Sequence, residues 1–340
     1  MKKKHFISLL SLLVVVIVWF FFHDGALAPI GLNVVKPQTQ INNNISLITE
    51  PEAGIEPVLA LINSASSSVS LVMYEFEDRQ VDDALVADEK RGVAVQVLVS
   101  LGYKGQGFPQ NQKEFNFLKE NGVPVEWTQS YFALTHQKSL VVDHTAALIM
   151  TFNFTPQYYS TSRDFGILDK DQADVQSMEA AFESDWRGDH STAANGDDLV
   201  WSPDSEPALV GLINNAQRSL DIYNEEMADS RVTKALIDAA ERGVRVRITM
   251  TYSSQWKKAF QQLTTAGALV RTYDPKALLY IHAKMIVVDG AQAFVGSENF
   301  SANSLDQNRE LGIILKNPNT IGSLESTFNT DWENGTAFAL

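Results

Sequence analysis

Residues 282–289 read HAKMIVVD, and residues 136–143 read HQKSLVVD. In each stretch a histidine stands two residues before a lysine, and an aspartate follows after four more residues. The apolar residues before each aspartate are typical of a short buried strand. Because residues two apart in a strand point to the same face of a sheet, the histidine and the lysine of each stretch can reach one ligand together.

The similarity between the two parts of the chain extends beyond these stretches. One set of residues is repeated at a constant offset of 146: His136, Lys138, Asp143, Asn153, Arg163, Gly166, Phe182, Asp185 and Trp186 match His282, Lys284, Asp289, Asn299, Arg309, Gly312, Phe328, Asp331 and Trp332. An earlier set is repeated at an offset of 151 and includes Asp78, Val81, Leu85 and Gly92, which match Asp229, Val232, Leu236 and Gly243. Identities in constant register indicate an internal duplication.

Both copies show the same alternation of predicted helices and strands. In the first copy the elements are a helix near Val58 to Ala65, a strand from Val69 to Tyr74, a helix from Val81 to Arg91, strands at Val93 to Val99, Ser139 to Val142 and Ala146 to Thr151, and a closing helix from Asp171 to Trp186. This alternation favours an α/β fold made of two homologous α/β sandwich halves with mixed sheets. We expect a pseudo-twofold axis to relate the halves, with equivalent motifs facing each other in one shared active site.

The repeated residues have the chemistry that phosphoryl transfer requires. A lysine cation with amide and hydroxyl donors can stabilise charge on a phosphoryl group. Thr151 with Asn153, and Ser297 with Asn299, follow the two motifs at the same spacing, so these four are candidate ligands of a substrate phosphate. Of two histidines at one site, one can attack phosphorus and the other can protonate the leaving oxygen. Protein cations can supply the stabilisation that metals provide elsewhere, so no metal or cofactor is required.

An acidic residue follows an arginine in each copy, as Arg163-Asp164 and Arg309-Glu310. Each acid lies 28 residues after the histidine of its own copy. A carboxylate can orient an imidazole and fix its tautomer, as the third residue of a catalytic triad does. The candidate catalytic residues are accordingly His136, Lys138, Asp164, His282, Lys284 and Glu310.

These motifs resemble those of the phospholipase D superfamily, whose signature is HxKxxxxD followed by GSxN and a later acid. The second copy has all three parts, with GSEN at 296–299 and Glu310 as the acid. The first copy departs from the signature, because MTFN at 150–153 replaces GSxN and Asp164 replaces glutamate. A glycine in place of Met150 would allow the backbone to approach a phosphate closely. The resemblance covers about residues 50 to 335 and implies a phosphohistidine intermediate without a metal.

Four other repeated residues have a structural interpretation beside a functional one. Asp143 and Asp289 each end a strand before a turn, where aspartate is common. We expect both to support the motif by holding adjacent backbone, and not to touch substrate. Arg163 and Arg309 either bind phosphate or pair with surface acids, and the sequence leaves these two alternatives open.

The composition restricts the classes of function. The chain has 340 residues and no cysteine, which excludes disulfides, zinc–thiolate sites and cysteine nucleophiles. Its formal net charge of -14 repels nucleic acid over most of its surface, although it permits a small cationic pocket. The charge therefore disfavours a processive DNA-binding protein and leaves small or zwitterionic substrates open.

Residues 1–28 are predicted to be a signal peptide or an N-terminal membrane anchor. Three lysines precede an uncharged apolar run at 6–22, and an Ala-Leu-Ala sequence ends this segment. The run has 17 residues, near the lower limit for a membrane span. With either outcome the positive end stays in the cytoplasm and the rest of the chain is exported. We expect a polar linker at 29–47, a first half at 48–195 and a second half at 196–340.

The first interpretation is a phospholipase D that removes phospholipid headgroups, with His136 favoured as the nucleophile by the resemblance. Tyr131-Phe132 and Leu278-Leu279-Tyr280 precede the two histidines; they form either an apolar mouth for acyl chains or ordinary strand and core. A metal-independent exported nuclease is second, because single strands in a narrow groove need only a local cationic patch. A phosphatidyl transferase of the cardiolipin synthase kind and an inactive binding scaffold are further alternatives. Because one chain has both motifs, a monomer suffices for one active site.

Overall fold

The computed structural model describes residues 44–102, 105, 107–189, 196 and 198–339. The predicted leader at 1–28 lies outside the described residues, as does the linker up to residue 43. Strand β1 begins at Ile45, so the last three residues predicted as linker belong instead to a sheet. They do so because Ile45 to Leu47 pair in antiparallel register with the end of a later strand. Within the described ranges, no helix has the length and apolarity that a membrane span requires.

The first half alternates strands and helices, as its sequence predicts. Its elements in chain order are β1 (Ile45–Glu50), α1 (Glu56–Asn63), β2 (Ser68–Met73), α2 (Arg79–Lys90), β3 (Ala94–Val99), α3 (Pro109–Glu120), β4 (Val125–Trp127), β5 (Ser139–Val142), β6 (Ala146–Met150), β7 (Ser162–Asp169) and α4 (Gln172–Arg187). Every element predicted for this half lies within two residues of these bounds. Helix α2 illustrates why, since the Asp78 side chain caps its first turn by accepting from the amide of Gln80.

The second half repeats this order with different lengths. Its elements are β8 (Leu199–Ser202), α5 (Glu206–Asn214), β9 (Ser219–Tyr223), α6 (Ser230–Glu241), β10 (Arg245–Thr251), α7 (Lys257–Thr265), β11 (Leu269–Tyr273), β12 (Tyr280–Ile281), β13 (Lys284–Val288), β14 (Gln292–Gly296), α8 (Ala302–Asp306), β15 (Glu310–Leu315), α9 (Pro318–Asn334) and β16 (Thr336–Ala337). Short 3₁₀ turns lie at Pro156–Tyr158 and Ser254–Trp256.

Each half contributes one mixed sheet. The first runs in the order β1-β7-β6-β5-β2-β3-β4, and the second in the order β16-β11-β10-β9-β13-β14-β15-β8. Strands β2, β3 and β4 are parallel, as are β9, β10 and β11, and the remaining neighbours along each order are antiparallel. The predicted α/β fold with a mixed sheet in each half is confirmed.

Three large apolar clusters hold the two halves as one compact unit. One cluster lies in the first half and includes Val58, Leu85 and Leu140. A second cluster lies in the second half. The third cluster joins residues of both halves, among them Ile149 and Ile313. Because this shared core is buried like the interior of a single domain, the two sheets keep a fixed relationship at the site described next.

Candidate active site

Each histidine of the two motifs lies on a segment that hydrogen-bonds to the other half. The amides of His136 and the next residue both donate to the carbonyl of Arg309, at 2.9 and 3.1 Å. The amides of His282 and the next residue both donate to the carbonyl of Arg163, at 3.2 and 2.8 Å. Strand β12, which leads to His282, also pairs in parallel with β7 of the first half. This reciprocal exchange is the arrangement that a pseudo-twofold axis produces.

Each histidine is also paired with the acidic residue of the opposite half. Nδ1 of His136 donates to Oε2 of Glu310 at 2.8 Å, and Nδ1 of His282 donates to Oδ1 of Asp164 at 2.8 Å. Both carboxylates are buried. The pattern predicted an acid that orients each imidazole, but it could not say that the acid belongs to the opposite half. With Nδ1 engaged in this way, Nε2 is the ring nitrogen of each histidine that remains for a substrate.

Both histidines line one cleft of about 1520 Å³. The cleft also has Asp164 and Glu310 in its wall, together with Asn153 and Asn299 from the two copies. The predicted single active site built from both motifs therefore corresponds to one continuous space. Of the two apolar segments that precede the histidines, Leu278 and Tyr280 line the cleft. Phe132 of the other segment is buried, with Arg309 over its ring at 5.2 Å.

The two lysines lie beneath the histidines. Nζ of Lys138 donates to the carbonyl of His136 at 2.7 Å, and Nζ of Lys284 donates to the carbonyl of His282 at 2.5 Å. Both side chains are almost completely buried. Burial, reinforced by the nearby charge of Lys284, lowers the pKa of Lys138 to about 7. The first half therefore has a cation that titrates near neutral pH.

The environment of His136 favours the neutral imidazole. Burial lowers the pKa of His136 to about 4, even though the carboxylate of Glu310 works in the opposite direction. Burial alone would raise the pKa of Glu310, but His136 and Lys138 hold it below its ordinary value. Ser304 and Asn308 donate to the other carboxylate oxygen of Glu310, at 2.5 and 3.0 Å. Glu310 is thus an ionised, rigidly held partner for a neutral ring.

Glu225 is a residue of the cleft that the sequence interpretation missed. Its Oε2 lies 3.2 Å from Nζ of Lys284 and 3.6 Å from Nε2 of His282, and its Oε1 accepts from the hydroxyl of Tyr280 at 2.9 Å. Burial would raise the pKa of Glu225, but Lys284 and His282 hold it well below its ordinary value. A carboxylate therefore faces the nitrogen of His282 that a phosphate would contact.

The first half has Tyr74 where the second half has Glu225. Tyr74 follows β2 and Glu225 follows β9. The two positions are 151 residues apart, which is the offset of the earlier repeated set. The ring centroid of Tyr74 lies 4.4 Å from that of His136 and 4.8 Å from Nζ of Lys138. The next residue is glutamate in both copies, Glu75 and Glu226, and both line the cleft. That repeated glutamate is the signal that could have revealed this wall of the site.

The hydroxyls of Thr151 and Ser297 do not line the cleft. Both side chains are completely buried, and they accept from the amides of Phe165 and Leu311 at 2.9 and 3.2 Å. Thr151 also donates to Oδ1 of Asp164 at 2.5 Å. The expectation that these hydroxyls bind substrate phosphate is corrected, because both are buried outside the cleft and bond to the amide of the residue two after Arg163 or Arg309, and Thr151 also holds Asp164. The paired asparagines, in contrast, do face the cleft.

Met150 and Gly296 occupy equivalent positions on β6 and β14, and neither lines the cleft. Met150 is completely buried in the apolar cluster of the first half. A Cβ atom on Gly296 would lie 2.6 Å from Cα of Gly312 and 2.7 Å from the ring of Phe294. Glycine is needed there for close strand packing. The expected reason, close approach of backbone to a phosphate, is not supported, because Gly296 does not line the cleft.

The arginines and aspartates with alternative interpretations are also placed by the structure. Nε of Arg163 donates to Asp331 at 2.7 Å, and Nε of Arg309 donates to Asp185 at 2.9 Å. Each buried pair therefore joins β7, or the residue just before β15, to the closing helix of the other half. Arg163 additionally contacts Glu52, which is a surface acid. Neither arginine lines the cleft, so the phosphate alternative is not supported.

Asp143 and Asp289 hold backbone as expected of structural residues. Asp143 accepts from the amides of Ser66, Ser67 and Ser68 at 2.7 to 3.0 Å. Asp289 accepts equivalent bonds from the three amides at 217–219. Burial would raise the pKa of Asp143, but these bonds hold it well below its ordinary value. Each aspartate thus fixes the turn before the central strand, β2 or β9, and neither lines the cleft.

Comparison with known families agrees with this geometry. Residues 58–186 and 209–332 match the family model described as Cardiolipin synthase, PLD-like domain. Each matched stretch contains one histidine–lysine motif. The chain belongs to the phospholipase D superfamily. Its two halves are two copies of the PLD-like domain, and the shared cleft lies where the two copies meet.

Curated members of the superfamily resemble the chain at moderate identity. A cardiolipin synthase of Listeria monocytogenes serotype 4a (strain HCC23) is 24% identical over 334 residues, which cover 85% of this chain and 69% of that protein. Phospholipase D Y of Dictyostelium discoideum is 31% identical over 159 residues, which cover 40% of this chain and 36% of that protein.

Solved structures share the fold of this PLD-like chain. Phosphatidylserine synthase from Haemophilus influenzae Rd KW20 has a TM-score of 0.68 and 12% identity, and the match covers 87% of both chains. Polyphosphate kinase from Porphyromonas gingivalis has a TM-score of 0.69 and 16% identity, covering 85% of this chain and 47% of that chain. At these identities the likeness concerns the fold alone.

Proposed function

We propose that this protein cleaves the headgroup-side phosphodiester of a phospholipid through a covalent intermediate on histidine. The observation that carries the proposal is the pair of crossed contacts, His136 with Glu310 and His282 with Asp164, at one cleft. Two imidazoles, each held through Nδ1, offer two Nε2 atoms to the same substrate. This is the arrangement that in-line displacement at phosphorus requires, with a nucleophile on one side and a proton donor on the other.

His136 is the nucleophile in this proposal. A ring whose pKa lies near 4 is neutral at neutral pH, so the lone pair of Nε2 is available to attack phosphorus. As the nitrogen–phosphorus bond forms, the ring gains positive charge, which the ionised Glu310 at 2.8 Å stabilises. Lys138 and Lys284 supply positive charge beneath the phosphoryl oxygens.

His282 is the general acid of the first step and the general base of the second. It gives its Nε2 proton to the headgroup oxygen as the phosphorus–oxygen bond breaks, and Asp164 keeps its ring oriented. A water molecule then loses a proton to His282 and attacks phosphorus, so the bond to His136 breaks. The products are the headgroup alcohol and a phosphatidic acid, and both histidines return to their initial state.

Transfer to an alcohol is a second candidate, in which a lipid hydroxyl replaces water in the second step. It is favoured by the match of both halves to a model described as cardiolipin synthase and by the relative of that name, which aligns with 85% of this chain. The same residues serve both outcomes, since His282 deprotonates whichever hydroxyl attacks. The acceptor therefore distinguishes the two candidates.

A nuclease is disfavoured by the charge of the cleft. Besides the two orienting acids, the wall contains four further carboxyl side chains, Glu50, Glu75, Glu225 and Glu226. A polyanion would approach several of them, and affinity for nucleic acid depends on cations that displace counterions. We propose further that the protein acts outside the cytoplasm at a membrane, because of the predicted leader at 1–28.

The test is a product analysis with the full chain, chelator present, and vesicles of phosphatidylcholine or phosphatidylglycerol. Phosphatidic acid with free headgroup supports hydrolysis, whereas cardiolipin with free glycerol from phosphatidylglycerol supports transfer. His282→Ala should abolish either product. His144→Ala is the matched control, since His144 is an exposed histidine outside the cleft. Cleavage of single-stranded DNA with intact lipid, or no lipid product at all, would contradict the proposal.

A further inference from the structure

The mouth of the cleft concentrates exposed apolar side chains. In the part of the chain that the structure describes, the exposed large hydrophobic residues are Tyr158, Leu269, Leu278 and Tyr280, and all but Leu269 line the cleft. Leu278 is 90% exposed. Together with Trp256, which is half-buried at the same wall, Tyr158, Leu278 and Tyr280 are called the apolar rim. Clustered exposed apolar residues mark a surface that contacts another apolar phase.

The tip of the apolar rim is held out in solvent by its own loop. Oδ1 of Asp274 accepts from the amide of Lys276 at 2.8 Å, and its carbonyl accepts from the amide of Ala277 at 2.8 Å. At the other end of the loop, the amide of Tyr280 donates to the carbonyl of Thr161 in the first half at 2.7 Å. The loop is therefore tied at both ends, and Leu278 projects into solvent between them.

The aromatic members of the rim combine an apolar face with a bonded polar end. Nε1 of Trp256 donates to the carbonyl of Glu225 at 3.2 Å, and the hydroxyl of Tyr280 donates to the carboxylate of the same residue at 2.9 Å. Tyr158 comes from the first half and stands on the 3₁₀ turn Pro156–Tyr158. Tryptophan and tyrosine with such amphipathic placement are favoured at the boundary between water and lipid.

Positive charge flanks the rim although the whole chain is strongly acidic. Lys257 and Lys258 directly follow Trp256, Lys276 lies two residues before Leu278, and all three lysines are exposed. The formal net charge of the chain is -14. Lysines that adjoin rim residues in the chain complement the anionic headgroups of a bilayer, and the apolar side chains complement its acyl chains; the exposed Asp274 is an acid of the same loop as Lys276. The same charges give no comparable argument for a protein partner, because the surface charge of such a partner is unknown.

We propose that the apolar rim docks on a lipid bilayer, with the Leu278 side chain inserted among the acyl chains and the lysines at the headgroups. The docking rests on the proposed function, because it sets the cleft mouth on the layer from which the substrate phosphodiester is drawn. It is independent of the leader at 1–28, since it uses residues of both folded halves. A phospholipid that leaves the docked bilayer can enter the cleft without first passing completely into water.

The chain has no cysteine, so a single labelled residue can test this placement in the full-length protein. Leu278→Cys and Leu269→Cys would each carry an environment-sensitive fluorophore and be mixed with vesicles of phosphatidylcholine and phosphatidylglycerol. Leu269 is the matched control, an exposed leucine at the start of β11 that does not line the cleft. We expect a blue shift and gain of emission at position 278 alone. Any anchoring by the leader affects both variants equally.

A functional comparison separates docking from catalysis. Leu278→Asp should lower turnover of vesicle lipid by about tenfold or more, because it removes a buried apolar contact with the bilayer. Turnover of a monomeric short-chain phospholipid should fall much less than turnover of vesicle lipid in Leu278→Asp, and Leu269→Asp, at an exposed leucine outside the cleft, should change neither rate. Lipid turnover without a shift at position 278, or equal shifts at both positions, would overturn the docking and leave the proposed function intact. If no lipid were turned over while position 278 still shifted, the docking would stand and the proposed function would fail.

Discussion

Nδ1 of His136 lies 2.8 Å from Oε2 of Glu310, although 174 residues separate them in the chain. The equivalent pair, His282 with Asp164, joins residues 118 apart at the same distance. Since each histidine takes its acid from the opposite half, neither half alone contains an oriented imidazole. The duplication is therefore a requirement of the site, because both oriented rings exist only where the two copies pack together.

Replacing Glu310 by glutamine should lower kcat sharply and leave KM nearly unchanged. The amide keeps the shape of the side chain but no longer fixes the Nδ1–H tautomer of His136 or stabilises the charged ring. Loss of the orienting carboxylate in a Ser-His-Asp triad lowers kcat by about 10⁴-fold, and we expect a loss of the same kind here. Steady-state kinetics on phospholipid vesicles would measure the change.

Glu298→Gln is the matched control for that variant. Glu298 is also a completely buried glutamate of the second half, but burial raises its pKa well above the ordinary value, whereas the pKa of Glu310 is lowered, so a neutral amide is the smaller change at Glu298. Activity should therefore be retained in Glu298→Gln. Equal losses in the two variants would show that any change of a buried glutamate disturbs the fold, and would contradict a specific role for Glu310.

Removing Asp185 should destabilise the protein more than it disturbs the cleft. Asp185→Ala leaves the guanidinium of Arg309 buried without its carboxylate, which typically costs about 3–5 kcal/mol of unfolding free energy. Urea unfolding would measure the loss. Lys234→Met is the control, because it breaks an exposed pair with Asp238 on α6, worth only about 0.3–0.5 kcal/mol. Similar midpoints for both variants would contradict a cross-half role for the buried pair.

The sequence could predict the elements and the motif residues because each rests on a local pattern. Periodicity located strands β5 and β13, which begin three residues after His136 and two residues after His282. Constant register identified Asp164 and Glu310. The pairing of each histidine with the acid of the opposite half could not be predicted. Both copies have the same spacing, so pairing within a half and pairing between the halves fit it equally well. Gly296 misled for a similar reason, since its neighbour Gly312 is adjacent only once β14 and β15 pair.

The difference between the two copies at the cleft wall could also not be predicted from the repeat. A search for identities finds what the halves share, and Tyr74 and Glu225 are equivalent positions that differ. In three dimensions that difference decides the electrostatics, because a ring faces Lys138 and a carboxylate faces Lys284. The surroundings of the two histidines thus differ because of a position that lies outside the repeated residues of the motif.

Glu225→Gln should tighten the binding of inorganic phosphate. The wild-type carboxylate lies beside Nζ of Lys284 and Nε2 of His282, where an anion would bind, so its removal relieves repulsion. We expect a competitive inhibition constant about tenfold lower. Glu226→Gln is the control, because Glu226 lines the same cleft but, unlike Glu225, forms no ion pair with Lys284 or His282 within the described residues. An unchanged constant in Glu225→Gln, or an equal change in both variants, would contradict a local effect.

The activity of the free enzyme should fall as pH rises through about 7. Burial and the charge of Lys284 lower the pKa of Lys138 to about 7, so above this pH the first half loses the cation that stabilises the phosphoryl group. His136, with a pKa of about 4, stays neutral across this range and does not produce the effect. The dependence of kcat/KM on pH would show it. In Lys138→Arg the guanidinium stays charged, so the alkaline decline should disappear even if the rate is lower; a decline that persists there would assign it to another group.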